Sequence, residues 1–448
     1  MIRKSIWIGL AISLVISGCS GGAEKNTEDG ATGSTAGTGE KISLEVQAFK
    51  GGYDIDFYQQ AGKEYAEKHP GIDVKVDGDP RVWEKLKPRF IDGTPPDLTF
   101  PGWGMDHWAL AEEDQLEDLS AAMLEKPYEG DGTWGDTFDP QLLKLGQLDG
   151  KQYVLPYYVM LYGWWYDPGV FTKNGWTAPK NYSELLALCE KIKAKGMAPI
   201  TFQGKYPYYM IDGMLLPWVV SVGGPDAIKA AQNMEPGAWK SPAMLQAAKM
   251  IDELNKRGFF ESGAVGKTHT EAQMSLLNGK AAMVPCGSWL ESEMKKQIPA
   301  GAKLQYMTVP IVVGGKGDPS SLLIGIEPWM VSSASKHKKE AIDFFKYMTS
   351  LTKAKQFVEE KGTLMSIKGS DQAKLPQILV EPAKAFAASK FLWAVQYRQW
   401  YPKFNTELEN KVTALLGGEL TPDAFCDAVE AEAEKVRKDP NIVKHKVQ

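Results

Sequence analysis

The sequence predicts an α/β fold in two lobes, each a mixed sheet flanked by helices, joined by crossover strands that act as hinges. Three observations predict it. Short runs of alternating apolar residues exchange with longer segments of helical period from Lys41 onward. At 448 residues the chain is long enough to build two lobes. Two aromatic or apolar stretches, residues 153–166 and 303–331, read as strands passing from one lobe to the other.

The N-terminus comes first. Arg3 and Lys4 precede an apolar run from Ile6 to Ile16, followed by Ser17, Gly18 and Cys19. This order predicts a secretory signal peptide over 1–18, with an apolar run too short to span a bilayer comfortably. The stretch Leu14-Val15-Ile16-Ser17-Gly18-Cys19 resembles the bacterial lipoprotein signal, which implies lipidation of the Cys19 thiol after cleavage. Residues 19–40 read as that lipidated Cys and a flexible tether, rich in Gly, Ser, Thr and Ala with little apolar surface to order it. The expected location is the outer face of the cytoplasmic membrane, at the cell surface.

The folded part begins at Lys41. Ile42, Leu44 and Val46 alternate as a strand; Ile55, Tyr58, Ala61 and Tyr65 mark one face of a helix over 54–69, stopped by Pro70-Gly71. Ile72, Val74 and Val76 form a second strand, Val82 to Ile91 a helix, and Asp97 to Phe100 a third strand. The clearest helix runs from Asn181, which can cap it, with Glu184 at the reciprocal position, to Lys195 before Gly196. Further helices are predicted over 242–257, 336–350 and 422–438, the last with Thr421-Pro422 at the cap and first turn. The expected division is 41–160 as the first part of lobe 1, 161–325 as the first part of lobe 2, 326–375 as the return to lobe 1, and 376–448 as C-terminal helices mainly of lobe 2.

Composition excludes several functions. Fifty-one basic against 56 acidic residues argue against nucleic acid and against a polybasic membrane face. Beyond Cys19, the thiols Cys189, Cys286 and Cys426 are odd in number and widely spaced, which fits small buried side chains rather than a disulfide framework or zinc site. His69, His107, His269, His337 and His445 are scattered without metal spacing, and no GxxxxGK[ST] loop occurs. No metal or cofactor is expected. The 14 Trp and 17 Tyr stand out, because several lie beside Gly, Pro and Asp in loops, where core packing explains them less well.

Five segments together carry a resemblance. They are Pro96-Asp97-Leu98-Thr99-Phe100, Leu148 to Pro156, Tyr162 to Asp167, Asn278-Gly279-Lys280-Ala281-Ala282-Met283, and Gly287-Ser288-Trp289. In that order and spacing the chain resembles the sugar-binding lipoproteins of bacterial ABC importers, the family 1 extracellular solute-binding proteins. The resemblance implies a periplasmic-binding-protein-like fold of type II that closes over a ligand by bending at the crossovers. It also implies capture of a mono- or oligosaccharide and delivery to the membrane permease subunits of an ABC importer, by a monomer with no catalytic residues. Gly163-Trp164-Trp165-Tyr166-Asp167-Pro168 and Lys361-Gly362-Thr363-Leu364-Met365-Ser366 are similar to the N-acetylglucosamine and chitobiose binders within that family.

A sugar offers apolar C–H faces and a rim of hydroxyls, so aromatic side chains next to directional polar groups are the candidates. Trp289 ends the Gly-Ser-Trp motif, where the resemblance implies a stacking platform. Trp103 lies in a Gly-rich loop after the third strand, and Asp106 could accept from hydroxyls or cap the next helix. Trp164 and Trp165 are adjacent on a strand and point to opposite faces, which favours Trp164 alone as a cleft residue. Glu327 follows an apolar strand, where a carboxylate needs hydroxyls, an Arg or a backbone turn to satisfy it; Trp329 follows it. Tyr206, Tyr208 and Tyr209 flank Pro207 in a loop. Trp393, Arg398 and Trp400 form a late aromatic stretch that reads equally as a packed helix face, and the turn Lys50-Gly51-Gly52-Tyr53 is a further candidate. The alternatives are an extracellular carbohydrate-active enzyme, which needs two opposed carboxylates, a structural or adhesive surface lipoprotein, or the same fold with a non-sugar ligand.

Overall fold

Alternation builds the first strand as expected: in β1 (Ile42–Phe49) Leu44, Val46 and Ala48 turn into the core while the residues between them are partly or fully exposed. The computed structural model describes residues 41–447 except 103, so the expected signal peptide, Cys19, the expected tether and Trp103 lie outside the described residues.

The remaining strands follow in chain order. β2 (Ile72–Asp79) and β3 (Leu98–Phe100) pair parallel to β1 on either side. β4 (Gln147–Leu148) and β5 (Lys151–Gln152) form a hairpin. Its turn, Asp149-Gly150, has φ of 51° and 79°, the left-handed pair that a two-residue hairpin turn requires. Next come β6 (Leu155–Tyr166), β7 (Ala198–Ile200), β8 (Ala281–Gly287), β9 (Gln305–Met307), β10 (Leu322–Val331), β11 (Leu364–Met365) and β12 (Leu392–Ala394). The main path through the sheet is β2-β1-β3-β10-β6-β8-β7.

Two long strands tie the halves of this sheet together. The first part of β6 pairs antiparallel with β10 and β11, whereas Tyr162 to Tyr166 pairs antiparallel with β8 and β9. β10 meets β12 at its start and β3 at its end. Buried along its whole length apart from Tyr162, β6 reads as an apolar run rather than an alternating one, as a strand covered on both faces must.

Each half of the sheet carries its own core. The first collects Leu44, Val46, Tyr58, Tyr157, Trp329, Phe345 and Phe357, and also takes in Ala272, Val284 and Tyr306. The second gathers Trp164, Leu185, Trp218, Met244, Trp239, Leu408 and Phe425. A smaller cluster packs the helix Val82–Ile91 against Trp108, Tyr153 and Met330. Cys189, Cys286 and Cys426 are buried free thiols; burial pushes Cys189 and Cys426 up to about 12, which leaves them unreactive.

Helix starts follow their caps. Asn181 accepts from the Glu184 amide at 3.0 Å and opens the helix Tyr182–Ala194. The return bond differs from the expected capping box: the Glu184 carboxylate takes the Lys180 amide, one residue earlier. Thr421 caps Pro422–Lys438 as expected. A complete capping box stands at Thr268 and Glu271 and opens the helix His269–Leu277.

Candidate functional site

The site is built where β8 ends against β6. In the antiparallel register Gly287 lies opposite Tyr162. Gly287 is required there: a Cβ added to it would sit 1.8 Å from Cζ3 of Trp289, so only glycine lets the indole fold back over the strand end. Half-buried, Trp289 meets Tyr162 edge to face at 5.4 Å and 85°, and Tyr209 at 6.0 Å.

The loop after β7 supplies the next wall. Gln203 Nε2 donates to Pro285 O at 2.7 Å, and Gly204 lies so close to the Val265 backbone that a side chain cannot fit, which fixes the loop against its neighbours. Tyr208 and Tyr209 stack at 4.4 Å and 28°. Tyr206 is 39% exposed and lies 5.3 Å from His269. His269 Nε2 is 3.3 Å from Glu293 Oε1, and Gln273 Nε2 donates to the other Glu293 oxygen at 2.7 Å. Ser292 Oγ donates to Gly52 O at 3.0 Å, which ties this wall to the turn after β1.

Polar character comes from a buried ion pair. Residues Ile211–Leu215 form a π-helical turn, a local widening that re-aims one side chain. It carries Asp212, which is 1% exposed. Arg398 Nη1 and Nη2 donate to the two Asp212 oxygens at 3.1 and 2.9 Å. The guanidinium also lies 5.8 Å from the Tyr208 ring centroid. Burial raises the Asp212 carboxyl, against which the charge and hydrogen bonds of Arg398 and a hydrogen bond from Tyr162 pull it down. Burial works against the Arg398 charge too, but Asp212 together with the Tyr397 and Tyr162 hydroxyls lifts the guanidinium above its ordinary value. The Tyr162 hydroxyl is pushed far up by burial and then by the Asp212 charge, so it stays protonated.

Of the expected site residues, Trp289, Tyr206, Tyr208 and Arg398 therefore come together. Others are placed elsewhere. Trp164 is fully enclosed in the second core and donates from Nε1 to Gly213 O at 2.7 Å, bracing the turn that holds Asp212. Trp165 points the opposite way, into the first core, as strand alternation requires, and is equally enclosed. Trp329 has no exposed surface and packs on Tyr58 and Phe345. Glu327, at an irregularity of β10 between Ile326 and Pro328, is 1% exposed, with the Tyr58 hydroxyl 2.9 Å from each of its oxygens. Asp106 caps the helix His107–Glu112, accepting from Trp108 N and Ala109 N at 3.1 Å. Trp103 and Cys19 lie outside the described residues.

Sequence reading missed Tyr162, Asp212, His269 and Glu293. For Asp212 a signal existed: it interrupts an otherwise apolar run, Met210 to Val220, where a lone carboxylate needs a partner. Among the described residues, no three His, Cys, Asp or Glu side chains are grouped to hold a metal ion, and no helix is long and apolar enough to cross a membrane.

Comparison with known proteins decides the family. Residues 51–354 match the family model described as bacterial extracellular solute-binding protein. The chain belongs to that family. This solute-binding protein is 28% identical over 417 residues to the diacetylchitobiose binding protein NgcE of Streptomyces coelicolor, covering 92% of this chain and 88% of NgcE. It is 24% identical to the multiple sugar-binding protein of Streptococcus mutans, over 78% of this chain and 81% of that one. Among solved structures, a chitin oligosaccharide binding protein superposes with a TM-score of 0.72 at 25% identity, over 88% of this chain and 98% of that one. The raffinose-bound RafE superposes at 0.71 with 21% identity, over 88% and 99% of the two chains, a likeness of fold. The two-lobed, mixed α/β architecture expected from sequence is thus the architecture of this solute-binding protein.

Proposed function

We propose that this extracellular solute-binding protein captures a mono- or oligosaccharide at the junction of its two cores and delivers it to the membrane permease of an ABC importer. One observation carries this reading: Trp289, Tyr162, Tyr206, Tyr208 and Tyr209 converge around the Asp212–Arg398 pair. Aromatic faces suit the C–H faces of a sugar, and a fixed guanidinium and carboxylate suit its hydroxyls. Trp289 is the stacking platform, Tyr206 and Tyr208 flank the ligand, and Arg398 donates to it.

The first candidates are N-acetylglucosamine and its disaccharide chitobiose, since the similar NgcE and the similar solved structure are described as chitobiose and chitin-oligosaccharide binders. Capture without catalysis is supported at the site itself. Asp212 is engaged by Arg398, and Glu293 by Gln273 and His269, so neither stands as a free acid or base opposite the other.

The lobes of this reading are 41–160 with 326–375, and 161–325 with 376–448. β6 and β10, which pass between the two cores, are the hinges, and sugar binding shifts the population toward the closed form. The protein works as a monomer, anchored through Cys19 after removal of residues 1–18.

Calorimetric titration of the unit Lys41–Gln448 with a panel of sugars tests capture. Saturable binding of chitobiose, with no release of N-acetylglucosamine on prolonged incubation, is the expected result. Turnover, or no binding to any sugar of the panel, contradicts it. For the anchor, Cys19→Ala in the full chain should move the secreted protein from the detergent phase to the aqueous phase.

A further inference from the structure

The Arg398 guanidinium lies 5.8 Å from the Tyr208 ring centroid, and its charge is not free. Asp212 takes both terminal nitrogens in a bidentate pair, and Asn405 Oδ1 lies 3.4 Å from Nε. Asp212 is held from behind: its π-helical turn is braced by the Trp164 indole on Gly213 O, and Gly213 sits so close to Pro285 that a Cβ would approach it to 2.8 Å. The carboxylate therefore cannot swing away to leave the guanidinium to a ligand. Beyond the pair, Glu409 accepts from Asn405 Nδ2 at 2.8 Å, and the charge of Arg398 acts on it. On the far side of the tyrosines stands Glu293 with His269. The Arg398 guanidinium is thus met by Asp212 and felt by Glu409, while Glu293 stands with His269 and Gln273.

We propose that Asp212 is a positioning residue that sets the charge preference of the cleft. It cancels the Arg398 charge and fixes the fork beside Tyr208, so the site accepts uncharged sugars and rejects carboxylated ones. The inference rests on the sugar-capture reading and adds the ligand's charge class to it. The physical basis is simple. A guanidinium has five N–H donors, and a carboxylate bound end-on leaves some of them for neutral oxygens, such as a hydroxyl or an amide carbonyl. A ligand carboxylate would meet the same donors but face a fixed anion behind them, in a region from which water is largely excluded. Selectivity here is a repulsive element as much as an attractive one.

The test compares diacetylchitobiose with the same disaccharide oxidised at C6 to the uronate, two probes that differ by one carboxylate. Calorimetry on the wild type should favour the neutral sugar by about tenfold or more. Asp212→Asn keeps shape and removes the anion, so the affinity ratio should move toward the uronate by about tenfold. Arg398→Gln removes the cation and should move the ratio further toward the neutral sugar. The opposite signs matter, because a merely structural role would weaken both sugars together. If Asp212→Asn does not fold, the wild type alone still decides: a preference for the uronate overturns the inference. Ratios that stay at the wild-type value in both variants overturn this inference alone. A wild type that binds neither probe overturns the sugar-capture reading and this inference with it.

Discussion

The Tyr58 hydroxyl lies 2.9 Å from both carboxyl oxygens of Glu327, 269 positions away in the chain, and closes the carboxyl into the first core. Tyr58 itself is walled by Tyr157, Trp329 and Phe357. Burial pushes Glu327 well above the carboxylate range, more than the Tyr58 hydrogen bond and the nearby Trp329 N–H pull it down.

The sign of the pH effect follows. Above its ordinary value the unfolded chain has released this proton while the folded chain keeps it, so the folded state loses ground as pH rises. Across that window the loss is about 1.4 kcal/mol per pH unit at most. Glu327→Gln, which stays neutral, should flatten this slope. Thermal unfolding from pH 5 to 8 reads it: the variant gains on the wild type as pH rises. Parallel curves would show Glu327 ionised in the folded protein.

His107 acts in the opposite direction. Burial lowers its imidazole to about 4. Between its ordinary value near 6.5 and that value the unfolded chain binds the extra proton, so stability falls as pH drops. His107→Gln should be less acid-sensitive than the wild type between pH 6.5 and 4.5, read again by unfolding temperature.

Gly287 is expected to matter for binding without touching a ligand. Gly287→Ala places its Cβ against the Trp289 ring and displaces the indole. Sugar affinity should fall by about tenfold or more, as for loss of an aromatic anchor. Retained affinity would show that Trp289 is not the platform.

Asp106 separates two roles. As a cap, Asp106→Ala should cost about 1 kcal/mol of stability, and Asp106→Asn should recover it. If Asp106 instead contacts sugar, affinity falls in the alanine variant beyond what its stability explains. Calorimetry beside urea unfolding distinguishes the two.

Much of the fold was legible because local rules and tertiary structure agree. Leu44, Val46 and Ala48 alternate and are buried; Asn181 and Thr421 cap the helices they precede. The site was legible only in part. Trp289 was reachable through the resemblance of Gly287-Ser288-Trp289 to the family motif, and Tyr206 and Tyr208 as aromatics among turn residues, as candidates only. Alternation put Trp164 and Trp165 on opposite faces, but it could not say that both faces are covered. Nor could spacing join Asp212 to Arg398, 186 positions apart, since it is the folding of the second core that brings the turn Ile211–Leu215 beside Tyr397 and Tyr401. Glu327 reads from sequence as a ligand contact satisfied by sugar hydroxyls, an Arg or a backbone turn; in the fold its partner is Tyr58, a residue no local pattern would select.

The most direct test is calorimetric titration of the Lys41–Gln448 unit with chitobiose, N-acetylglucosamine, maltose, cellobiose and xylobiose, repeated with Trp289→Ala. Sugar capture at this junction predicts saturable one-site binding of at least one of these sugars, weakened about tenfold or more in the variant. Binding that Trp289→Ala leaves unchanged would contradict the placement of the site, and no binding across the panel would contradict capture of these sugars.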